Sequence, residues 1–212
     1  EIASCLVGSE MCIRDRKSAV LIVLAFVGIY IVRTVVSVAV QGVSDGSGMQ
    51  YVKEWAAMFK NPMMWLNIAA LPINYFFVFI AFFGEEYGWR YYLQPVLQKR
   101  FGLRAGVIIL GVVWGLWHIP DDLFYYTQTS GIQMIFAQQI TCISLGIFFA
   151  YAYMKTQNIW VPVCLHYLNN NLIPIISGTF SADVLENQTV SWKDLPVALV
   201  LNGSVSYTHL RA

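Results

Sequence analysis

The chain has 212 residues, of which 58% are hydrophobic and 12% are charged, and its formal net charge is +1. Soluble domains carry about 25% charged residues, so this composition predicts an integral membrane protein whose surroundings are the lipid bilayer. No stripe of Lys and Arg interleaved with polar residues occurs in the sequence, which excludes nucleic acid as an expected partner.

Both ends of the chain resemble peptides that arise when sequencing-adapter DNA is translated. We expect residues 1–16 (EIASCLVGSEMCIRDR) and residues 204–212, within the closing GSVSYTHLRA, to be non-native segments. Residues 17–203 are then expected to form a single domain. The natural protein is expected to extend further at one or both ends.

Apolar runs long enough to cross a bilayer core of about 30 Å follow one another between these ends. They occupy residues 19–40, 63–83, 105–119, 132–153 and 159–177, and a further run begins near Leu195 and stops abruptly. The sequence therefore predicts an all-α, polytopic membrane helix bundle with about five complete transmembrane helices and a truncated sixth.

Charged residues near the ends of these runs predict the orientation of the bundle. Basic residues follow the second and fourth runs, and acidic residues follow the third and fifth: Lys99, Arg100, Arg104 and Lys155 against Asp121, Asp122, Asp183 and Glu186. The basic loops are expected in the cytoplasm, and the membrane is expected to be the plasma membrane of a prokaryote. Asp121 and Asp122 are expected to mark a wet loop, and Arg33, inside the first run, needs a partner.

Three short polar clusters interrupt the apolar background: EEYGWR, WGLWHIP and HYLNNN. Residues four apart lie on the same face of a helix. The clusters therefore predict three neighbouring pairs, which are Glu86 with Arg90, Trp114 with His118, and His166 with Asn170. An ionisable residue inside a membrane is costly, so each cluster is a candidate for function.

Helix lengths allow the first two clusters to meet. Glu85 lies 17 residues before Gly102 and His118 lies 16 residues after it, which corresponds to about 24–26 Å of helix on either side of a turn. Glu85 and His118 are therefore expected at the same depth, with Pro95 kinking the outgoing helix. His166 is expected at a comparable though shallower depth, so that a shared pocket is geometrically allowed.

In this order the three clusters resemble the motifs of the CAAX-type prenyl endopeptidase family, also called the CPBP (CAAX protease and bacteriocin-processing) family, which includes Abi-like proteins. The family pattern is Glu-Glu-x-x-x-Arg, then an aromatic residue four before a His, then a His four before an Asn. The matching residues here are Glu85, Glu86 and Arg90, then Trp114 and His118, then His166 and Asn170. The resemblance covers about residues 82–171, the expected catalytic core, and Trp114 stands where the family often has Phe.

The resemblance implies an endopeptidase that acts within the membrane, with its site reached from the cytoplasmic side. Its substrates would be CAAX-type prenylated tails or peptide and leader precursors. Hydrolysis needs a base to activate water and donors to hold the developing oxyanion. We expect Glu85 to be the base, His118 to position the water, and His166 and Asn170 to donate to the oxyanion.

The remaining motif residues have supporting roles in this interpretation. Glu86 and Arg90 are expected to form an ion pair that orders their helix, although Arg90 could also receive a substrate carboxylate. Trp114 is expected to pack. Cys142 and Cys164 lie in apolar helices without CxxC spacing and are also expected to be packing residues.

A metal-dependent interpretation uses nearly the same side chains. Glu85, His118 and His166 make up a two-His, one-carboxylate set that could hold zinc and leave a position open for water, and the family is often labelled metalloprotease. No HExxH helix occurs, however, and a metal-free, glutamate-activated water is also allowed. Zinc is therefore possible but unassigned.

Two other functions remain open. The same Glu and His residues could serve a transporter or proton relay, although no inverted repeat of broken helices is visible. The chain could also be a non-catalytic bacteriocin-immunity protein, in which the buried His and Asn side chains only make interhelical hydrogen bonds. The sequence does not indicate an oligomeric state.

Overall fold

Helices account for nearly all of the chain in the computed structural model, which describes residues 10–45, 48–178 and 182–207. In chain order they are α1 (Glu10–Asp45), α2 (Gly48–Met58), α3 (Pro62–Glu86), a π-helical segment (Tyr87–Leu93), α4 (Gln94–Phe101), α5 (Leu103–Trp117), α6 (Ile119–Phe124), α7 (Gly131–Thr156), α8 (Trp160–Ser177), α9 (Ala182–Glu186) and α10 (Asp194–Tyr207). These ranges contain no strand, and the predicted all-α class is confirmed. Of the terminal segments expected to be non-native, residues 1–9 and 208–212 lie outside the described ranges.

Four stretches in the described part of the chain are long and apolar enough to cross a membrane: Arg16–Ser37, Pro62–Phe101, Leu103–Phe124 and Gly131–Thr156. The predicted polytopic bundle is confirmed, but the helix count differs. The fifth predicted span forms α8, whose polar cluster HYLNNN lowers its hydropathy. The predicted truncated sixth span appears as the shorter apolar helix Asp194–Gly203.

The outer face of α3 carries large apolar side chains. Phe76, Phe77 and Ile80 are 71%, 74% and 69% exposed. Contiguous exposed apolar surface of this kind is expected on a helix that contacts lipid. The bilayer therefore supplies the solvent for this face, while Glu86, Arg90 and His166 of the clusters are buried in the bundle.

A tight hairpin joins α4 to α5, as the spacing of Glu85 and His118 around Gly102 predicted. Gly102 has a φ of 85°, a left-handed conformation that favours glycine. A Cβ at Gly106 would lie 2.6 Å from the backbone nitrogen of Gln98. The two helices therefore pack with their backbones nearly in contact, which fixes the depth of the residues that each carries.

Pro95 widens the helix before it rather than only kinking it. Proline has no N–H and its ring clashes with the carbonyl of the fourth residue before it. The helix responds by the π-helical segment Tyr87–Leu93, in which the Gln94 N–H donates to the Trp89 carbonyl five residues back. Such segments often occur at functional sites, and this one carries the buried Arg90.

The two ends of the bundle differ in charge. At one end the amide of Gln98 contacts the sulfur of Met154 at 3.4 Å, which places the basic residues of the α4–α5 hairpin beside Lys155. At the other end the Gln188 N–H donates to the Tyr126 carbonyl at 2.9 Å. Burial, with help from Asp121 and Asp122, raises the pKa of Tyr126 to about 12, so its hydroxyl stays neutral.

The wet-loop interpretation is wrong for one of the two aspartates at this second end. Asp121 is exposed, whereas Asp122 is 0% exposed and neither of its carboxylate oxygens has a hydrogen-bond partner in the described part of the chain. Asp122 lies one helical turn after His118, and its N–H donates to the His118 carbonyl at 2.9 Å. It therefore belongs to the interior of the bundle.

Candidate active site

Glu86, at the end of α3, lies at the centre of a buried chain of charged groups. One carboxylate oxygen is 2.9 Å from Nδ1 of His166 on α8, and the other is 3.1 Å from Nε of Arg90. Glu86 and Arg90 are both 0% exposed, and His166 is 3% exposed. A carboxylate accepts, so Nδ1 of His166 carries the proton of this bond and Nε2 faces away from Glu86.

The Glu86–Arg90 ion pair has the i,i+4 spacing that the sequence predicted, whereas the contact between Glu86 and His166 was not predicted. These two residues are 80 positions apart, so no local pattern could reveal their contact. A general signal was present, however, because a buried charge inside a membrane needs a partner. The carboxylate of EEYGWR that contacts a histidine is therefore Glu86, and not Glu85.

Aromatic rings surround the Arg90 guanidinium. Its carbon lies 4.8 Å from the Trp114 ring centroid and 5.4 Å from that of Phe149. A cation in this position is attracted by the negative face of the ring, by about 2 kcal/mol or more when desolvated. The rings therefore offset part of the free-energy cost of burying Arg90. The carboxylate of Glu86 neutralises the charge of Arg90.

Trp114 lies between the two histidines of the site. The Trp114 ring is 2% exposed, and its centroid lies 5.4 Å from the His166 ring and 5.8 Å from the His118 ring. Phe82 closes another side of His166 with an edge contact at 5.2 Å. Trp114 thus packs as predicted, and it also connects the two polar clusters on α5 and α8.

His118 caps the end of α5 in a fixed orientation. Its Nδ1 lies 2.9 Å from the carbonyl oxygen of Trp114. Since a carbonyl only accepts, Nδ1 must carry the proton, and Nε2 of the neutral ring is then an acceptor. The thiol of Cys142 is 3.7 Å from the same Nδ1. This cysteine, expected to be a packing residue, therefore also contacts His118.

Glu85 is half-buried. Its Oε2 atom is shielded from solvent and has no hydrogen-bond partner in the described residues. Glu85 lies within electrostatic range of both Arg90 and Cys142. Cys142 contacts His118, so Glu85 and His118 share this thiol as a neighbour, and their common depth stays a prediction.

Asn170 lies apart from the buried chain. Its side chain is exposed, and its Oδ1 accepts a hydrogen bond of 2.9 Å from Nδ2 of Asn169. In the described residues no bond involves its own Nδ2. One turn of α8 separates it from His166, as the spacing predicted, so both present polar atoms along one helix face.

The predicted zinc ligands do not converge in this arrangement. Within the described ranges, no group of three His, Cys, Asp or Glu side chains is placed so that it could hold a metal ion. His166 is engaged with Glu86, and His118 is held by the Trp114 carbonyl. Zinc binding by Glu85, His118 and His166 stays a prediction.

Comparisons with known proteins agree with the motif pattern. Residues 66–172, about half of the chain, match the family described as Type II CAAX prenyl endopeptidase Rce1-like. A relative named CAAX prenyl protease 2, from Methanococcus maripaludis, is 27% identical over 125 residues, which cover 55% of this chain and 45% of the relative. The chain thus spans about half the length of that relative, and no solved structure gives a significant match. The match includes all three polar clusters, and the chain belongs to the Type II CAAX prenyl endopeptidase Rce1-like family.

Proposed function

We propose that this protein is an intramembrane endopeptidase that hydrolyses a peptide bond of CAAX-type prenylated tails by means of a water molecule activated by Glu85. Family membership and the name of the relative support the activity and the substrate class. The observation that carries the mechanism is the Oε2 atom of Glu85, which is shielded from solvent and has no hydrogen-bond partner among the described residues.

Glu85 has the free acceptor that water activation requires. A general base must reach the proton that it removes, directly or through one water. Oε1 of Glu86 is hydrogen-bonded to His166, and its Oε2, which accepts no hydrogen bond among the described residues, is ion-paired with Arg90 at 3.1 Å, whereas Oε2 of Glu85 has neither a hydrogen bond nor an ion pair among the described residues. Of the two adjacent carboxylates, Glu85 is therefore the one that can accept a proton without breaking a contact within the protein.

His118 would hold the same water from the other side. Its Nδ1 proton is committed to the Trp114 carbonyl, so Nε2 of the neutral ring accepts a hydrogen bond. A water held by two acceptors, Glu85 and His118, points both hydrogens at them and its lone pairs at the substrate carbonyl. This orientation favours attack by the water oxygen.

Donors on α8 would stabilise the oxyanion formed by that attack. Asn170 Nδ2 is a donor in every protonation state, and His166 Nε2 becomes one when the ring carries both protons. Glu86 accepts from the Nδ1–H of His166 and so fixes the orientation of the ring. Preorganised donors of this kind contribute about 2.7–4 kcal/mol each to transition-state stabilisation.

The proton taken by Glu85 would then pass to the leaving amine. Breaking the C–N bond needs that proton, because an amide anion is a poor leaving group. One carboxyl group acts first as base and then as acid, which balances the reaction without another reactant. The products are a new carboxyl end and a released peptide with a free amino end.

We infer from the family membership that the site is reached from the cytoplasmic side of a prokaryotic plasma membrane, and the basic residues indicate only which end of the bundle faces the cytoplasm. The basic residues Lys99, Arg100, Arg104 and Lys155 are exposed, and the contact between Gln98 and Met154 gathers them at one end of the bundle. A cluster of basic residues at the ends of spans favours the cytoplasmic side.

Cleavage of a farnesylated peptide with a C-terminal CAAX sequence, in liposomes that contain the full chain, tests this proposal. Mass spectrometry of the products identifies the broken bond. We expect turnover by the unsubstituted protein and strong losses in Glu85→Gln, His118→Ala and His166→Ala. Cleavage only of an unprenylated leader peptide would overturn the substrate class. Ion flux into the liposomes without any cleavage would overturn the enzymatic function in favour of transport.

A further inference from the structure

Arg33, in the middle of α1, has partners inside the bundle. Its Nη1 donates to Oδ1 of Asn202 on α10 at 3.0 Å. Its guanidinium carbon lies 5.5 Å from the ring centroid of Tyr30. The cation expected from the sequence to need a partner therefore has two, and one of them leads to the candidate active site.

Tyr30 connects α1 to the polar face of α8. Its hydroxyl donates to Oδ1 of Asn169 at 2.9 Å, and Nδ2 of Asn169 donates to Oδ1 of Asn170 at 2.9 Å. Tyr30 is buried and Asn169 is half-buried. A continuous chain of hydrogen bonds thus runs from Tyr30 through Asn169 to Asn170, and Arg33 lies over the ring of its first member.

The direction of this chain follows from the Tyr30 hydroxyl, which gives its proton to Oδ1 of Asn169. Asn169 then accepts with Oδ1 and must donate with Nδ2. The Oδ1 atom of Asn170 is occupied as a result, and its Nδ2 is left as the free end of the chain.

We propose that Tyr30 and Asn169 are positioning residues that hold Asn170 with its Nδ2 donor directed at the substrate oxyanion, in an orientation set by the Tyr30 hydroxyl. This inference rests on the proposed function, in which Asn170 stabilises the oxyanion. Without the chain, the Asn170 amide could turn and present its oxygen to the developing negative charge. A donor that does not reorganise during the reaction stabilises the transition state most effectively.

The proposal extends the site beyond the residues that match the family. Tyr30 and Arg33 belong to α1, whereas the family match begins at residue 66. The first helix would then contribute to turnover as well as to anchoring. No sequence motif marks this contribution, because Tyr30 and Asn169 are 139 positions apart.

Steady-state cleavage of the farnesylated CAAX peptide by Tyr30→Phe measures the effect of removing one hydroxyl. We expect kcat to fall about 3- to 10-fold, the value of one hydrogen bond expressed as a rate, with KM unchanged. Tyr167→Phe is the matched control, because its hydroxyl also joins two helices, donating to the Leu71 carbonyl at 2.7 Å. This control is expected to keep its kcat.

Asn169→Asp tests the direction of the chain with almost no change in shape. A carboxylate cannot donate to Oδ1 of Asn170, and it would instead accept from Nδ2 of Asn170. The free donor would then be captured, so kcat is expected to fall further than in Tyr30→Phe. A kcat equal to that of the unsubstituted protein in Asn169→Asp would overturn the proposal.

Repeating Tyr30→Phe in an Asn170→Ala background separates positioning from folding. We expect no additional loss of kcat, since the group being positioned is gone. An equal fold-loss in both backgrounds would overturn the proposal and assign Tyr30 a structural role. Full kcat in Asn170→Ala alone would instead overturn the oxyanion role in the proposed function.

A readout that does not depend on activity keeps the hydrogen-bond chain testable if the peptide is not cleaved. Thermal unfolding of Tyr30→Phe, Asn169→Ala and the double variant in detergent forms a double-mutant cycle. We expect the double variant to unfold at nearly the same temperature as Asn169→Ala. Additive decreases would show that Tyr30 and Asn169 are not coupled, and would overturn the proposal.

Discussion

Two groups of side chains in the candidate active site are partnered in opposite ways. The paired half consists of Glu86, Arg90 and His166, which are buried and joined by contacts of 2.9 and 3.1 Å. The unpaired half consists of Glu85 and Asp122 and of His118, whose Nδ1 contacts the Trp114 carbonyl but whose Nε2 makes no bond among the described residues. Glu85 Oε2 and both oxygens of Asp122 have no hydrogen-bond partner among the described residues.

This difference indicates which residues stabilise the fold and which take part in the reaction. An ion pair inside a low-dielectric bundle is costly to break, because the remaining charge stays buried. An acceptor without a protein partner is free to bind water or substrate, and it accounts for little of the stability of the bundle. The paired half should therefore dominate stability, and the unpaired half should dominate turnover.

Glu85→Gln should give the largest loss of turnover. The amide keeps the shape of the side chain but cannot act as a base, so kcat should fall about 10²- to 10⁴-fold. The unfolding temperature should not fall, because no hydrogen bond to Oε2 from the described residues is lost. Cleavage of the farnesylated peptide and thermal unfolding in detergent measure the two quantities. Full turnover in Glu85→Gln would mean that another group activates the water.

Glu86→Leu should have the largest effect on stability. Removing the carboxylate leaves Arg90 buried without its charge partner, at a cost of about 3–5 kcal/mol in the free energy of unfolding. Replacing both partners in Glu86→Leu/Arg90→Met removes the stranded charge, so the double variant should be more stable than Glu86→Leu alone. Reversible unfolding in mixed micelles compares them. Strictly additive losses would contradict a direct pair.

Local features of the sequence predicted a large part of this arrangement. The apolar runs predicted the membrane bundle, and the i,i+4 spacing predicted the contact between Glu86 and Arg90. Gly102 marked the hairpin because only a turn residue of this kind tolerates a φ of 85°. Each of these features depends on residues close together in the chain, whose relative geometry the helix itself determines.

Features that depend on tertiary packing were not predicted. The contact between Glu86 and His166 requires α3 and α8 to be neighbours. The hydrogen bond from Tyr30, beside Arg33, to Asn169 requires α1 to pack on α8. Asp122 has the sequence context of a loop residue, yet the packing of α6 against the bundle buries it. The direction in which a side chain points into a bundle depends on helix rotation, which single-sequence patterns leave open.

Asp122→Asn tests the unpaired half through stability. A buried carboxylate without a partner is unfavourable, so removing its charge should raise the free energy of unfolding by about 1–3 kcal/mol. The exposed neighbour provides a matched control, since Asp121→Asn should change stability by less than about 0.5 kcal/mol. Thermal unfolding of the two variants gives the comparison. A clear destabilisation by Asp122→Asn would show that Asp122 has a binding partner in the folded protein.

Chelation should have the smallest effect and tests whether a metal joins the two halves. Zinc held by Glu85, His118 and His166 would need one residue of the paired half and two of the unpaired half, yet these side chains do not converge on a common point. We expect 1,10-phenanthroline to leave cleavage of the farnesylated peptide unchanged, and elemental analysis of the active protein to find less than one zinc per chain. Loss of activity on chelation that is restored by added zinc would contradict this expectation. It would also mean that His166 turns away from Glu86 to bind the metal, and His166 would then be a metal ligand instead of a donor to the oxyanion.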